Sequence, residues 1–112
     1  MNDYIFLMHD DAQEDAEHNS DAAWEKYFAM LRASGQFSGG SSIGSGVCVT
    51  RAGAAKRITS HLSGYIRVQA EDLEQAKKLL VGNPVLECGG TVEIRELPRG
   101  QIALQCRLQP EA

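Results

Sequence analysis

Basic surface, paired cysteines and long apolar runs are all scarce in this chain, and each shortage closes off a class of function. Eleven Lys and Arg stand against 15 Asp and Glu, for a formal charge of -4 over 112 residues. Apart from Lys77-Lys78, the only adjacent basic pair is Lys56-Arg57. A phosphate backbone would find no counter-charged stripe, so nucleic acid is not an expected partner. No stretch approaches the roughly 20 apolar residues of a membrane span. The first apolar run, Tyr4 to Met8, has no basic flank and ends in His9-Asp10-Asp11, unlike a leader segment. A soluble, cytoplasmic protein with no membrane partner is expected. Cys48, Cys88 and Cys106 are odd in number and far apart, which suits neither a disulfide framework nor a zinc site. Reduced, buried thiols are the expectation.

Recognisable reaction motifs are missing as well. The run Gly39-Gly40-Ser41-Ser42-Ile43-Gly44-Ser45-Gly46 has glycines that let amides approach an anion, but it lacks the Gly-Lys-Ser/Thr ending of a phosphate loop and the dinucleotide pattern. Ser20, Ser60 and Ser63 have no nucleophile-elbow context, so no hydrolytic triad is expected. His9, Asp10, Asp11, Glu14, Asp15, Glu17 and His18 cluster in sequence, yet without the alternating acids and turn glycine of a calcium loop. The expectation is no metal site and no cofactor.

What is there is architecture. In Leu62 to Gln69, apolar Leu62, Gly64, Ile66 and Val68 alternate with Ser63, Tyr65, Arg67 and Gln69, the period of a strand with one buried face. Asp72 with Gln75 can form a capping box, and Leu73, Ala76, Leu79 and Leu80 repeat at helical spacing until Gly82 and Pro84. Gly89-Gly90 turns the chain into a strand over Thr91–Leu97, which Pro98 ends. Upstream, Tyr4 to Met8 is apolar on both faces and reads as a central strand. A first helix starts near Ser20 or Asp21, carries Trp24, Tyr27, Phe28 and Leu31 on one side, and stops at Gly35. Between them the glycine-serine run reads as flexible, and Val47-Cys48-Val49-Thr50 carries the β propensity of strand two. The order βαββαβ predicts an α+β, ferredoxin-like sandwich in a single domain, 1–112, with helices on one sheet face. Ile102, Leu104, Cys106 and Leu108 alternate with polar residues and predict an extra C-terminal strand at about 101–108.

Gly64-Tyr65-Ile66-Arg67-Val68, Asp72-Leu73-Glu74-Gln75-Ala76, Asn83-Pro84 and Gly90-Thr91-Val92-Glu93-Ile94-Arg95 together resemble the YCII-related family, in particular its DGPF-type branch, across most of residues 3–97. The tetrapeptide that names the branch is absent, with Arg57-Ile58-Thr59-Ser60 in its place. The resemblance implies a dimeric α/β barrel, in which a second copy covers the helix-free sheet face. Exposed apolar residues on that face point to a homodimer on their own account. Family members carry a histidine near the start of helix one that works with an aspartate. The matching position here is Trp24, which cannot transfer a proton.

The candidate site follows from these placements. His9 beside Asp10 or Asp11 is a sensible general base, because a carboxylate can orient an imidazole. The alternative is an exposed, structural histidine. His61, at the mouth of strand three, comes near His9 if the two strands are neighbours. Trp24 and Phe28 supply the wall of a ligand pocket between helix one and the sheet, or simply core contacts. The leading expectation is a small-molecule-binding or accessory dimer. The alternative is a cofactor-free isomerase or lyase using His9 or His61 for proton transfer. Close approach of either histidine to a carboxylate favours the enzyme, whereas two exposed and separate histidines favour the binding protein.

Overall fold

The computed structural model describes residues 1–13, 20–53 and 57–99. Its elements run β1 (Asn2–His9), α1 (Asp21–Ser34), β2 (Phe37–Ser42), β3 (Leu62–Ala70), α2 (Leu73–Lys78), α3 (Pro84–Glu87) and β4 (Val92–Leu97). The four strands form one antiparallel sheet in the order β2-β3-β1-β4. The segment expected to form a C-terminal strand, 101–108, lies outside the described residues.

β1 is central because both of its faces tolerate burial. Tyr4, Phe6 and Met8 are buried beneath the helices, while Ile5, Leu7 and His9 are half-buried on the opposite face. In β3, Gly64, Ile66, Val68 and Ala70 take the helix side. Phe6 is flanked by Ile66 on one side and Ile94 on the other, so one apolar row crosses three strands. Phe6, Leu31, Ile66 and Val68 are completely enclosed. Each contributes roughly 1.5–3 kcal/mol through the apolar area it removes from water.

Local chemistry sets the helix ends. The Ser20 hydroxyl accepts from the Ala23 amide at 3.2 Å to start α1, and Gly35 ends it at φ 74°. That left-handed conformation suits glycine. Tyr27 and Leu31 are buried, and Trp24 and Phe28 pack against the core from partly exposed positions. Asp72 accepts from the Gln75 amide at 2.9 Å and opens α2. Pro84, read from sequence as a stop, instead begins α3. Asn83 caps that turn, its Oδ1 accepting from Val85 and Leu86, and proline at the first helical position gives up only an amide that has no intrahelical partner. Leu73, expected on the core side, is 47% exposed because α2 is too short to bury more than Ala76 and the Leu79-Leu80 end.

Strand two is also displaced from its expected place. The pairing with β3 falls on Phe37–Ser42, the glycine-serine run itself, and Val47–Thr50 is not a strand. The cause is register. α1 ends at Ser34, three residues before Phe37, so the chain meets β3 at once, and the Gln69 amide bonds the Gln36 carbonyl at 2.8 Å to start the ladder. Gly39 absorbs an irregularity at φ 121°. Gly40 lies so close to β3 that a Cβ there would stand 2.5 Å from the Tyr65 carbonyl oxygen. Tertiary pairing therefore overrides the β propensity of Val47 and Val49, which remain 81% and 87% exposed.

Past β4, the Arg99 guanidinium grips Asp3 at 2.5 and 2.9 Å, tying the chain back to the start of β1. This two-point hydrogen bond holds the Asp3 carboxyl below its usual range.

Candidate functional site

A cavity of about 630 Å³ opens between α1 and the end of the sheet where β1, β2 and β3 meet. Its outer wall is Trp24 and Phe28, one turn apart on α1, with ring centroids 5.6 Å apart and planes at 26°. Phe37 braces Phe28 from behind at 5.6 Å. The sheet side is paved by Gly40, Ser41 and Ser42 of β2 and by Ser63, Gly64 and Ile66 of β3, mostly small residues, while Tyr65 borders it from a position paired with Leu7. Met8, Val85 and Ala12 close the inner end, and His9 and Asp10 border it where β1 stops. Gly64 is small for a packing reason, since a Cβ there would come within 3.2 Å of the Met8 methyl and 3.1 Å of the Ser41 carbonyl oxygen.

A second group of side chains sits on the other face of the sheet. Glu93 lies opposite Leu7 in the register, on the side turned away from Phe6 and Met8. The Nε2 of His9 is 3.1 Å from Glu93 Oε1, and Arg95 Nη1 donates to Glu93 Oε2 at 3.0 Å. The Arg95 and His9 hydrogen bonds hold the Glu93 carboxyl below its usual range, so it stays ionised. An ionised acceptor places the shared hydrogen on His9 Nε2, which leaves the Nδ1 lone pair as the basic position of the neutral ring. The His61 ring meets the His9 ring edge-on, with centroids 4.9 Å apart and planes at 77°. The Asp10 amide bonds the His61 carbonyl oxygen, and β1 and β3 slip register between Met8 and His9. That irregularity brings the two histidines together.

Asp11 has a different task. Its carboxylate accepts from the Thr91 amide at 2.8 Å and the Thr91 hydroxyl at 2.7 Å, fixing the entry of β4, and these bonds lower its carboxyl below the usual range.

His9, Asp10, Trp24 and Phe28 border one cavity. His61 does not line it but reaches His9 across the β1–β3 junction. The imidazole of His9 engages Glu93 on the helix-free face, whereas Trp24 and Phe28 lie on the helix side. Glu93 is the functional candidate that sequence reasoning missed. Alternation puts it on the polar face of its strand, but only the β1–β4 register puts it beside His9. Ser41 and Ser42 were missed for a similar reason, since strand two was expected further along the chain. The Gly39–Ser42 part of the glycine run is a strand paired with β3 and not a flexible loop. Cys88 is buried and Cys48 half-buried, its Sγ 3.5 Å from the Arg57 carbonyl oxygen. Among the described residues, no three His, Cys, Asp or Glu side chains converge as metal ligands, and no helix is long and apolar enough to cross a membrane.

No family model and no curated protein matches this sequence. Among solved structures, the fold is similar to 5-chloro-2-hydroxyhydroquinone dehydrochlorinase from Burkholderia phenoliruptrix AC1100, in complex with 2,5-dihydroxybenzoquinone. The TM-score is 0.51 at 12% identity, over 87% of this chain and 96% of that one. At that identity the likeness is one of fold: a small α+β unit with a four-stranded antiparallel sheet and three helices.

Proposed function

We propose that this protein is a YCII-like small-molecule-binding dimer whose ligand, a compact ring compound, sits between Trp24 and Phe28 on one side and the glycine-serine floor on the other. The observation that carries this reading is the cavity itself. Its volume falls in the range of small-ligand sites, and its lining combines aromatic area with a few polar groups. The solved neighbour holds a small dihydroxylated ring on a similar fold, which supports the same ligand size. A ligand screen by thermal shift, repeated on Trp24→Ala, tests it. Hits found with the parent chain should vanish with the variant. A folded Trp24→Ala protein that binds the same hit equally well would sink the pocket.

A second reading is favoured by the His9–Glu93 contact: cofactor-free proton transfer of the isomerase or lyase type. His9 Nδ1 takes a proton from the substrate while Glu93 holds the Nε2 hydrogen and stabilises the resulting imidazolium, and Arg95 keeps Glu93 in place. The ferredoxin-like sandwich and the dimeric barrel belong to the same proposal. Ile5, Leu7, Tyr65 and Leu97 lie half-buried on the helix-free face, rimmed by Arg67, Arg95 and Glu93. A second copy seated there would cover them and enclose the His9–Glu93 pair between two sheets.

A further inference from the structure

The charge of the ligand is written into the cavity wall. Among the described residues, no Lys or Arg lines the cavity, and Asp10 is the only acidic side chain that does. The other polar residues of the lining include His9, Tyr65 and the serines Ser41, Ser42 and Ser63. Two of the serine hydroxyls already spend their hydrogens on backbone, Ser41 Oγ on the Ser42 carbonyl at 2.9 Å and Ser63 Oγ on the Met8 carbonyl at 3.4 Å. What they present to a ligand is therefore lone pairs. A lining with one carboxylate and no Lys or Arg, whose His9 imidazole is engaged by Glu93 on the opposite face, welcomes O–H and N–H donors and gives a buried carboxylate or phosphate no full positive charge to offset its desolvation. Arg67 and Arg95 of the sheet lie on the opposite face, where Arg95 is committed to Glu93. The π faces of Trp24 and Phe28 act in the same direction, since they attract a cation and repel an anion. The chain's net charge of -4 adds a weaker push of the same sign.

We propose that this cavity, taken as the ligand site above, selects uncharged or cationic ring compounds that carry a hydrogen-bond donor and rejects anionic ones, with Asp10 recognising an ammonium group. Phenethylamine, phenethyl alcohol and 3-phenylpropionate share one ring and a similar chain and differ in charge. Trp24 is the only tryptophan in the chain, so quenching of its emission, excited where a phenyl ring does not absorb, reports the cavity directly. Ligand-observed saturation-transfer NMR gives a second readout. The amine and the alcohol should bind, the acid at least about tenfold more weakly. Asp10→Asn should erase the advantage of amine over alcohol, and Asp10→Lys should admit the acid. Asp10 is exposed, so both variants should keep the parent circular dichroism spectrum. Equal or tighter binding of the acid overturns the charge inference and leaves the pocket standing. An amine advantage that survives Asp10→Asn removes Asp10 from its role. Binding of none of the three, by either readout, overturns the pocket and this inference with it.

Discussion

Replacing Tyr27 by Phe removes one oxygen from a buried polar contact in the core. Tyr27 is 2% exposed, and its hydroxyl donates to the Leu79 carbonyl at 2.8 Å, joining α1 to the end of α2 across 52 residues of sequence. Phenylalanine keeps the ring and its packing against Trp24 and Phe28 but leaves that carbonyl unsatisfied in a site water does not reach. A buried group stranded in this way costs about 1–3 kcal/mol. Taking about 1.5 kcal/mol, and an unfolding entropy near 2.1 cal/mol/K per residue over the whole chain, the melting temperature should fall by about 6 °C. Thermal scans at neutral pH by circular dichroism measure it. The phenol carries a second signature, because burial pushes it up to about 12 from an ordinary 10. The folded state then holds this proton more tightly than the unfolded state does. Its stabilising contribution is complete below pH 10 and is lost as pH rises from 10 towards 12. Tyr27→Phe should flatten that alkaline limb. A variant that melts within 1 °C or so of the parent, with the limb unchanged, would refute the claim that this hydroxyl bonds inside the core.

Asp3 is held below its ordinary range by Arg99, so its contribution is present above the unfolded carboxyl range and disappears as pH falls through the lower folded value; Asp3→Asn should remove part of the acid limb of stability while leaving neutral and alkaline melting nearly parallel to the parent. Sedimentation velocity should give a homodimer at micromolar concentration. Leu7→Asp, which puts a carboxylate on the helix-free face, should shift it to monomer, and Leu104→Asp should do so if the tail takes part; a parent chain that sediments as a monomer overturns the dimer.

Much of this fold could be read from one residue's neighbours along the chain. The alternation in Leu62 to Gln69, the Ser20 and Asp72 caps, the stop at Gly35 and the Gly89-Gly90 turn are local events. Period, hydrogen-bonding side chains and positive φ decide them within a few residues. Where two segments had to be compared across space, the chain by itself was silent. Val47 and Val49 have the better β propensity, but β3 pairs with Phe37–Ser42 because α1 delivers that stretch to its edge. Glu93 looks like any polar residue on a strand until the β1–β4 register sets it 3.1 Å from His9. The cavity has the same origin. Trp24 and Phe28 were legible as one face of a helix, but the floor opposite them is empty only because glycines and serines, chosen by pairing rather than propensity, occupy that edge of the sheet. Local sequence sets what each segment prefers; long-range pairing sets which side chains meet, and the chemistry depends on the meeting.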